Sequence, residues 1–202
     1  MPSLHPTKQT LLDTVVQLLD IKSPSEINSE EVLEISGISK GSLYHHYSDF
    51  SELIEQALIV RFGRYVDTSV SALSDVIRKA KSKTELLEGL KEVTRSSQSV
   101  ELQASRYERL TSMATAVRSP RMKAAMGIEQ ERLTEALADL FRESQERGWG
   151  AKNIDPRVVA VMVQSYTMGK VVDDITPNHM NHDGWVSVVD TILERVFFTE
   201  GE

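Results

Sequence analysis

Apolar residues recur at steps of three and four along almost the whole chain, and this periodicity constrains the fold more than any other feature. No run of alternating apolar and polar residues flanked by turn residues is present, and only 10 glycines and 6 prolines interrupt the 202 residues. The cleanest apolar stripe lies near the end of the chain: Trp185, Val188, Val189, Ile192, Leu193 and Val196. The sequence therefore predicts an all-α protein.

The composition is that of a globular protein, with 40% hydrophobic and 26% charged residues. Acidic residues outnumber lysine and arginine by 30 to 23, which gives a net charge of −7. A molecule with this charge repels polyanions as a whole, so any nucleic-acid function must depend on a local patch. The absence of cysteine excludes disulfides, thiolate zinc sites, iron–sulfur clusters and cysteine nucleophiles.

The sequence shows no sign of export or membrane insertion. Residues 1–10 lack the apolar core of a signal peptide. The longest purely apolar run, residues 158–163, is far shorter than the roughly 20 residues that span a bilayer. We therefore expect a cytoplasmic protein with no membrane partner.

Capping signals divide the helical pattern into segments. Three pairs have the spacing of a capping box, in which a polar N-cap residue is followed three positions later by glutamate: Asn28 and Glu31, Asp49 and Glu52, Ser82 and Glu85. Ser119-Pro120 and Asp155-Pro156 each combine a cap with proline at the first helical position. After Asp155 the pattern predicts one apolar helix to about residue 175, then a loop over 176–184.

The most informative stretch is NSEEVLEISGISKGSLYHHY, residues 28–47. Two short helical segments flank a tight turn at residues 36–38, where Gly37 tolerates a left-handed backbone at little cost. This is the layout of a helix-turn-helix unit, whose second helix enters the major groove of DNA.

The charge pattern of this stretch supports DNA binding. Residues 35–48 contain no acidic side chain, although Glu34 and Asp49 bracket them. Gly41 lets backbone N–H groups approach a phosphate closely. The side chains able to bond to phosphates and base edges are Ser39, Lys40, Ser42, Tyr44, His45, His46 and Tyr47.

The run GISKGSLYHHY, residues 37–47, followed by Leu53, resembles the tetracycline-repressor (TetR) family of transcriptional regulators. The resemblance covers about a quarter of the chain. It implies a three-helix DNA-binding domain over residues 1–48. It also implies a larger helical bundle over residues 49–202 that dimerises and binds a small-molecule effector. The expected function is that of a repressor, bound as a homodimer to a palindromic operator in double-stranded DNA.

Position by position, the resemblance assigns two groups of DNA contacts. Lys40, Ser42, Tyr44 and His45 are expected in or near the major groove. The expected phosphate contacts lie at both ends of the unit: Asn28, Ser29, His46 and Tyr47.

The chain departs from the family pattern at three places. Leu33 stands where a small residue is usual, and Ser23-Pro24 replaces a glycine-aromatic pair. Phe50 stands where a lysine often contacts phosphate. The first 50 residues contain only three lysines and no arginine. We therefore expect modest non-specific affinity for DNA and a shallow dependence of that affinity on salt.

Polar residues and methionines within apolar helices are candidate walls of the effector site: Arg106, Tyr107, Met113, Met126, Met162, Gln164 and Tyr166. The competing interpretation is that the methionines fill the core and the polar groups are satisfied or exposed. The last two helices carry more apolar surface than one bundle face needs, which predicts a dimer interface. Its candidate residues are Val158, Met162, Trp185, Val188, Val189, Ile192 and Val196.

No catalytic motif, metal site or cofactor site is predicted. His179, His182 and Asp183 occupy the expected loop without a known ligand spacing, and His45 and His46 point about 100° apart on a helix. Two alternatives to the regulator remain. One is a helical ligand-binding or interaction module with weak or lost DNA binding. The other is a small all-α enzyme with a cavity near Arg106, Tyr107 and Tyr166.

Overall fold

A computed structural model describes residues 5–198, and every regular element in that range is helical, which confirms the all-α prediction. The helices are α1 (Pro6–Leu18), α2 (Ser29–Ser36), α3 (Lys40–His46), α4 (Phe50–Lys79), α5 (Lys83–Ser97), α6 (Gln103–Arg118), α7 (Pro120–Glu146), α8 (Pro156–Gly169), α9 (Val171–Asp174) and α10 (His182–Ile192). A 3-10 turn covers Pro24–Glu26, and a π-helical turn over Leu193–Phe197 follows α10. None of these helices is both long and apolar enough to cross a bilayer.

The first three helices and the start of α4 enclose a small core. Val32, Leu43 and Leu53 are fully buried in it. Each such aliphatic side chain contributes about 1.5–3 kcal/mol by leaving water. Leu53 and Ala57 belong to α4, so the first two turns of α4 pack within this N-terminal core, beyond the boundary predicted after residue 48.

The remaining helices form a larger bundle with a core of its own. Helix α4 contributes Leu58, Phe62 and Val66 to that core, and α7 contributes Met122 and Phe141. A single 30-residue helix, α4, therefore runs through both cores and connects them rigidly.

The predicted N-caps are confirmed. Their side chains accept hydrogen bonds from the third backbone N–H of each helix, at 3.0 Å for Asn28, 2.7 Å for Asp49 and 3.2 Å for Ser82. The glutamates behave differently from a capping box. Glu52 and Glu85 accept from the residue before the cap, Ser48 and Lys81, at 2.7 and 2.8 Å. Glu31 forms an ion pair with Lys22 instead.

Two boundaries differ from the sequence prediction. The helix expected to continue to residue 175 is interrupted at Lys170, whose buried ammonium donates to the Gln98 carbonyl at 2.8 Å. The expected loop ends early, because Asn181 caps α10 by accepting from the Asp183 N–H at 3.1 Å. The last helix therefore begins at His182, three residues before the apolar stripe that starts at Trp185.

Candidate nucleic-acid interface and candidate ligand cavity

Residues 37–39 form the turn between α2 and α3. Gly37 has φ +67° and ψ 14°, and its N–H donates to the Leu33 carbonyl at 3.0 Å, which ends α2. Ser39 then caps α3 by accepting from the Ser42 N–H at 3.2 Å. These local bonds determine the direction in which α3 leaves the turn.

Helix α3 has a buried side and an exposed side. Leu43 is fully buried, whereas Lys40 and His45 are exposed and Tyr44 retains 46% of its exposure. Lys40 and Tyr44 are four residues apart and therefore lie on the same side of the helix. The polar side chains predicted to face DNA are thus presented to solvent.

Nine of the ten predicted DNA-contact residues are exposed or half-buried: Asn28, Ser29, Ser39, Lys40, Gly41, Ser42, Tyr44, His45 and His46. They come from the start of α2 and from α3 with its cap. The Asn28 side-chain oxygen is occupied by its capping bond, which leaves its amide N–H₂ as the group available to a phosphate.

Tyr47 is the exception, because its side chain is buried and its hydroxyl is engaged within the protein. The residue is 1% exposed, and its hydroxyl donates to the Lys8 carbonyl at 3.0 Å. Burial, with smaller effects of the Glu52 and Asp13 carboxylates, raises the pKa of Tyr47 to about 12. Its position at the end of α3 directs the ring into the N-terminal core, where it fixes α3 to α1.

His5, which caps α1, and Lys8 on α1 complete a basic cluster that the sequence analysis missed. The His5 and His46 rings lie 4.8 Å apart between centroids, His45 and His46 5.1 Å apart, and the Lys8 ammonium lies 4.9 Å from the Tyr47 ring centroid. Partial burial, followed by the charges of His5, His45 and Lys8, lowers the pKa of His46. Residues 1–50 contain only three lysines and no arginine, and Lys8 is one of them. Its charge alone could have marked it as a candidate DNA contact. We call His5, Lys8, His45 and His46 the basic cluster.

The residues that depart from the family pattern have structural roles. Phe50 and Leu33 are half-buried against the N-terminal core. Ser23 donates from its N–H and its hydroxyl to the Glu26 carboxylate, at 2.8 and 2.7 Å, which stabilises the 3-10 turn. Phe50 therefore contributes packing at a position where the pattern has a cation.

The larger bundle contains a cavity of about 630 Å³, a volume within the usual range of small-molecule sites. Helices α4 to α8 and the end of the described chain surround it. Its wall is predominantly apolar and includes Leu90, Leu133, Leu137, Phe141, Val159 and Val163.

Three of the predicted effector-site residues line this cavity: Arg106, Gln164 and Tyr166. Gln164 donates to the Thr134 hydroxyl at 3.2 Å and to the Ala160 carbonyl at 3.0 Å. The Tyr166 hydroxyl is buried without a hydrogen-bond partner among the described residues. Burial raises the pKa of Tyr166, and the Asp190 carboxylate adds to that effect. The Thr94 hydroxyl is near enough to oppose it, but its geometry does not meet that of a hydrogen bond.

Arg106 is fully engaged by the protein. It is 1% exposed and forms a two-point ion pair with Asp174, at 2.8 and 3.1 Å, across 68 residues of sequence. Its remaining terminal nitrogen donates to the Ser99 carbonyl at 2.8 Å. Arg106 therefore connects α6 to α9 and has little capacity left for a ligand.

The other four predicted residues, Tyr107, Met113, Met126 and Met162, do not line this cavity. Met126 is buried in the main core, and Met113 and Tyr107 are half-buried at other positions. Met162 lies on the surface with 46% exposure. Met126 and Met113 pack against other apolar side chains of the bundle, as the competing interpretation expects, whereas Met162 does not.

Arg109, which the sequence analysis missed, lines the cavity. It is 6% exposed, and its guanidinium carbon lies 3.8 Å from the Tyr65 ring centroid. Its Nε atom is buried without a hydrogen-bond partner within residues 5–198. The sequence could have indicated this position, because Arg109 follows Arg106 by three residues and both therefore lie on one side of α6.

The predicted dimer residues divide by exposure. Val158, Met162, Val188 and Val196 are all between 46% and 60% exposed, while Trp185 and Ile192 are half-buried. Val189 is 2% exposed and packs in the core of the larger bundle, so it is not available at the surface. The Trp185 indole donates to the side-chain oxygen of Gln98 in the same chain.

Within residues 5–198, no group of three or more histidine and carboxylate side chains is placed to hold a metal ion. Asp174 is held by Arg106, and Asp173 accepts from the Met180 N–H at 2.8 Å. The polar loop before α10 is therefore organised by its own hydrogen bonds.

No protein-family model and no curated protein matches the sequence. Solved structures match over nearly the full length. A TetR-family transcriptional regulator from Mesorhizobium loti shares 17% identity, with a TM-score of 0.71, over 96% of this chain and 97% of its own. One from Cytophaga hutchinsonii shares 12% identity, with a TM-score of 0.65, over 98% and 99%. A transcriptional regulator from Saccharomonospora viridis in complex with choline shares 13% identity, with a TM-score of 0.68, over 95% and 97%. The chain thus has the fold of TetR-family regulators.

Proposed function

We propose that this chain, with the fold of TetR-family transcriptional regulators, is a non-enzymatic, ligand-responsive DNA-binding protein that represses transcription in the cytoplasm. The observation that carries the proposal is the exposed polar side of α3, with Lys40 and Tyr44 presented to solvent next to a tight helix-turn-helix turn. We infer that α3 enters the major groove.

The proposed contacts divide into two groups. Lys40, Ser42, Tyr44 and His45 contact base edges and the groove walls from α3. Phosphates are contacted by the start of α2, through Asn28 and Ser29, and by the basic cluster at the end of α3. Lys8 supplies local positive charge to this cluster, which a molecule of net charge −7 needs where it meets DNA.

A homodimer is proposed because a palindromic operator presents two equivalent half-sites. Exposed apolar side chains on α8 and α10 support this: Val158, Val161, Met162 and Val188. Apolar side chains grouped on the surface of a globular protein are typical of a partner interface.

The effector is proposed to bind in the cavity of the larger bundle and to act through α4. Helix α4 lines that cavity and also packs in the N-terminal core, so a displacement of α4 moves α3. In a dimer this alters the separation of the two α3 helices, which must match one turn of DNA, about 34–36 Å. A coupling of about 1–3 kcal/mol is typical of such linkage. The choline complex of the Saccharomonospora viridis regulator supports a small-molecule effector.

The DNA-binding proposal is tested by selecting duplexes from a random pool at low salt and measuring affinity for the selected site by fluorescence anisotropy. We expect a palindrome to be enriched. Replacing Lys40 or Tyr44 with alanine should weaken binding by about tenfold or more, equivalent to about 1–3 kcal/mol per lost base contact. Lys79→Ala, at the far end of α4, is the matched control and should leave affinity unchanged.

Two results would contradict the proposal. Unchanged affinity in both α3 variants would remove α3 from the interface. Failure to enrich any palindrome would favour the alternative of a helical ligand-binding or interaction module that has lost DNA binding. The excess of acids around the turn and the packing role of Phe50 are the observations that favour this alternative.

The dimer is tested by light scattering after size-exclusion chromatography. Val188→Glu places a charge within the proposed interface and should shift the protein from dimer to monomer. Val117→Glu changes a residue of similar type on α6 that is 76% exposed and should leave the dimer intact. A monomeric wild-type protein would refute the dimer directly.

A further inference from the structure

Arg109 is a buried charge without a carboxylate partner among the described residues. It is 6% exposed, and no carboxylate within residues 5–198 lies within 4.0 Å of its guanidinium nitrogens. Its Nε atom has no acceptor. Buried arginines are rare unless they are paired, because removing an unpaired charge from water is costly. Arg106, one helical turn earlier, is buried as well, but its charge is paired with the Asp174 carboxylate.

Tyr65 compensates for part of this cost on one face of the guanidinium. The guanidinium carbon lies 3.8 Å from the centroid of the aromatic ring, a favourable cation–π contact. Stacking on a face leaves the N–H groups at the guanidinium edge free to donate to an acceptor in their plane. Burial is the main influence that lowers the pKa of Arg109, and the charge of Arg106 adds to it while Tyr65 opposes it. An arginine nevertheless stays charged at neutral pH.

The rest of the cavity contains little that competes for this charge. Among the described lining residues, Glu92 is the one carboxylate, and its side chain is exposed. Arg64 is also exposed and adds a second positive charge to the lining. The unpartnered hydroxyl of Tyr166 offers a further polar contact within an otherwise apolar wall.

We propose that the effector is an organic carboxylate with a single negative charge and an apolar body. Its carboxylate accepts hydrogen bonds from the edge of Arg109, and its hydrocarbon frame fills the apolar remainder of the 630 Å³ cavity. One buried unpaired cation matches one negative charge, and a cationic ligand is repelled. This inference rests on the proposed effector-binding function of the larger bundle.

Three probes with the same tail separate the effect of the charge from that of the hydrocarbon: decanoate, 1-decanol and decyltrimethylammonium. Isothermal titration with the full chain should show decanoate binding at least tenfold more tightly than either other probe. In Arg109→Met, which keeps an apolar side chain of similar length, decanoate should lose at least tenfold in affinity. Decanol should bind the variant as well as the wild type.

Arg118→Met is the matched control, because it removes an exposed arginine from the same helix, α6, at a position that does not line the cavity. Its decanoate affinity should stay within threefold of the wild-type value. Thermal unfolding of Arg109→Met provides a second readout. Its midpoint should equal or exceed that of the wild type, since removing an unpaired buried charge removes a cost to folding.

Equal affinity for the three probes, unchanged decanoate affinity in Arg109→Met, or no binding of decanoate would each overturn the carboxylate assignment. A lower unfolding midpoint in Arg109→Met with unchanged decanoate affinity would show that Arg109 is structural. None of these results depends on DNA, so the anisotropy assay with selected duplexes tests the regulator proposal separately.

Discussion

Arg61 and Glu108 form a two-point ion pair in which Nε and Nη2 of the arginine each donate to one carboxylate oxygen. The third nitrogen of Arg61 donates to the Val16 carbonyl at 3.2 Å and to the Asp20 carboxylate. One side chain on α4 therefore connects α1 of the N-terminal core with α6 of the larger bundle. Glu108 directly precedes Arg109, so this connection begins next to the proposed effector contact.

Replacing Arg61 with alanine should lower the free energy of unfolding by about 1–3 kcal/mol, because hydrogen bonds to two carboxylates and a carbonyl are lost at a position that is only 19% exposed. Urea denaturation measures this. Arg78→Ala removes an ion pair to Asp75 within α4, where the arginine is 72% exposed, and should change stability by less than about 0.5 kcal/mol. Equal effects of the two variants would show that the Arg61 network contributes nothing specific.

Gly37→Ala should destabilise the protein by about 1–2 kcal/mol, the cost of placing an L-residue in a left-handed conformation. The cost is in the backbone, since no atom lies within 4 Å of the Cβ that alanine would add at φ +67°. Gly127 also has free space, but it lies inside α7. Gly127→Ala should therefore stabilise the protein by about 0.5–1 kcal/mol. Urea denaturation giving the same sign for both variants would contradict this account of the turn.

Tyr44 and Tyr47 should respond in opposite ways to replacement by phenylalanine. Tyr47→Phe loses the bond to the Lys8 carbonyl and should lower the free energy of unfolding by about 0.5–1.5 kcal/mol, with DNA affinity retained. Tyr44→Phe should keep the stability and weaken DNA binding, because its hydroxyl is exposed on α3. Urea denaturation measures the stability of both variants, and fluorescence anisotropy measures their DNA affinity. A loss of DNA affinity in Tyr47→Phe alone would make Tyr47, and not Tyr44, the DNA contact.

The fold was predictable from sequence because its determinants are local. An N-cap such as Asn28 or Asp49 bonds to a backbone N–H three residues away, and Gly37 ends α2 through its own backbone conformation. The exposed side of α3 follows from that turn and from the burial of Leu43. Most of the predicted DNA-contact side chains were therefore placed at the surface by short-range signals.

The cavity was less predictable, because its polar residues are defined by distant partners. Arg106 is satisfied by Asp174, which lies 68 residues further along the chain, whereas Arg109 on the same helix stacks on the ring of Tyr65 and has no carboxylate partner within residues 5–198. Periodicity cannot distinguish a paired from an unpaired arginine. The same limit applies to the apolar stripe on α10, in which Val189 is buried and Val188 is exposed. Which of these residues is buried depends on tertiary packing and cannot be derived from the spacing alone.

The last prediction concerns pH and the basic cluster. In the free protein the folded-state pKa of His46 is lowered, so the unfolded chain takes up this proton first as the pH falls through about 6.5. The stability that neutral His46 contributes is therefore present above that pH and is lost below it. Thermal unfolding of the free protein should show a lower midpoint at pH 6 than at pH 8.

DNA should reverse the direction of this effect. A phosphate near His46 favours the protonated ring, so the complex takes up protons that the free protein lacks, and DNA affinity should rise from pH 8 to pH 6. His46→Asn should flatten that rise in anisotropy titrations. His179→Asn, in the loop before α10, should keep the wild-type profile because its partner is Asp173. A flat wild-type profile would remove His46 from the proposed phosphate contacts while leaving the α3 contacts of Lys40 and Tyr44 to their own test.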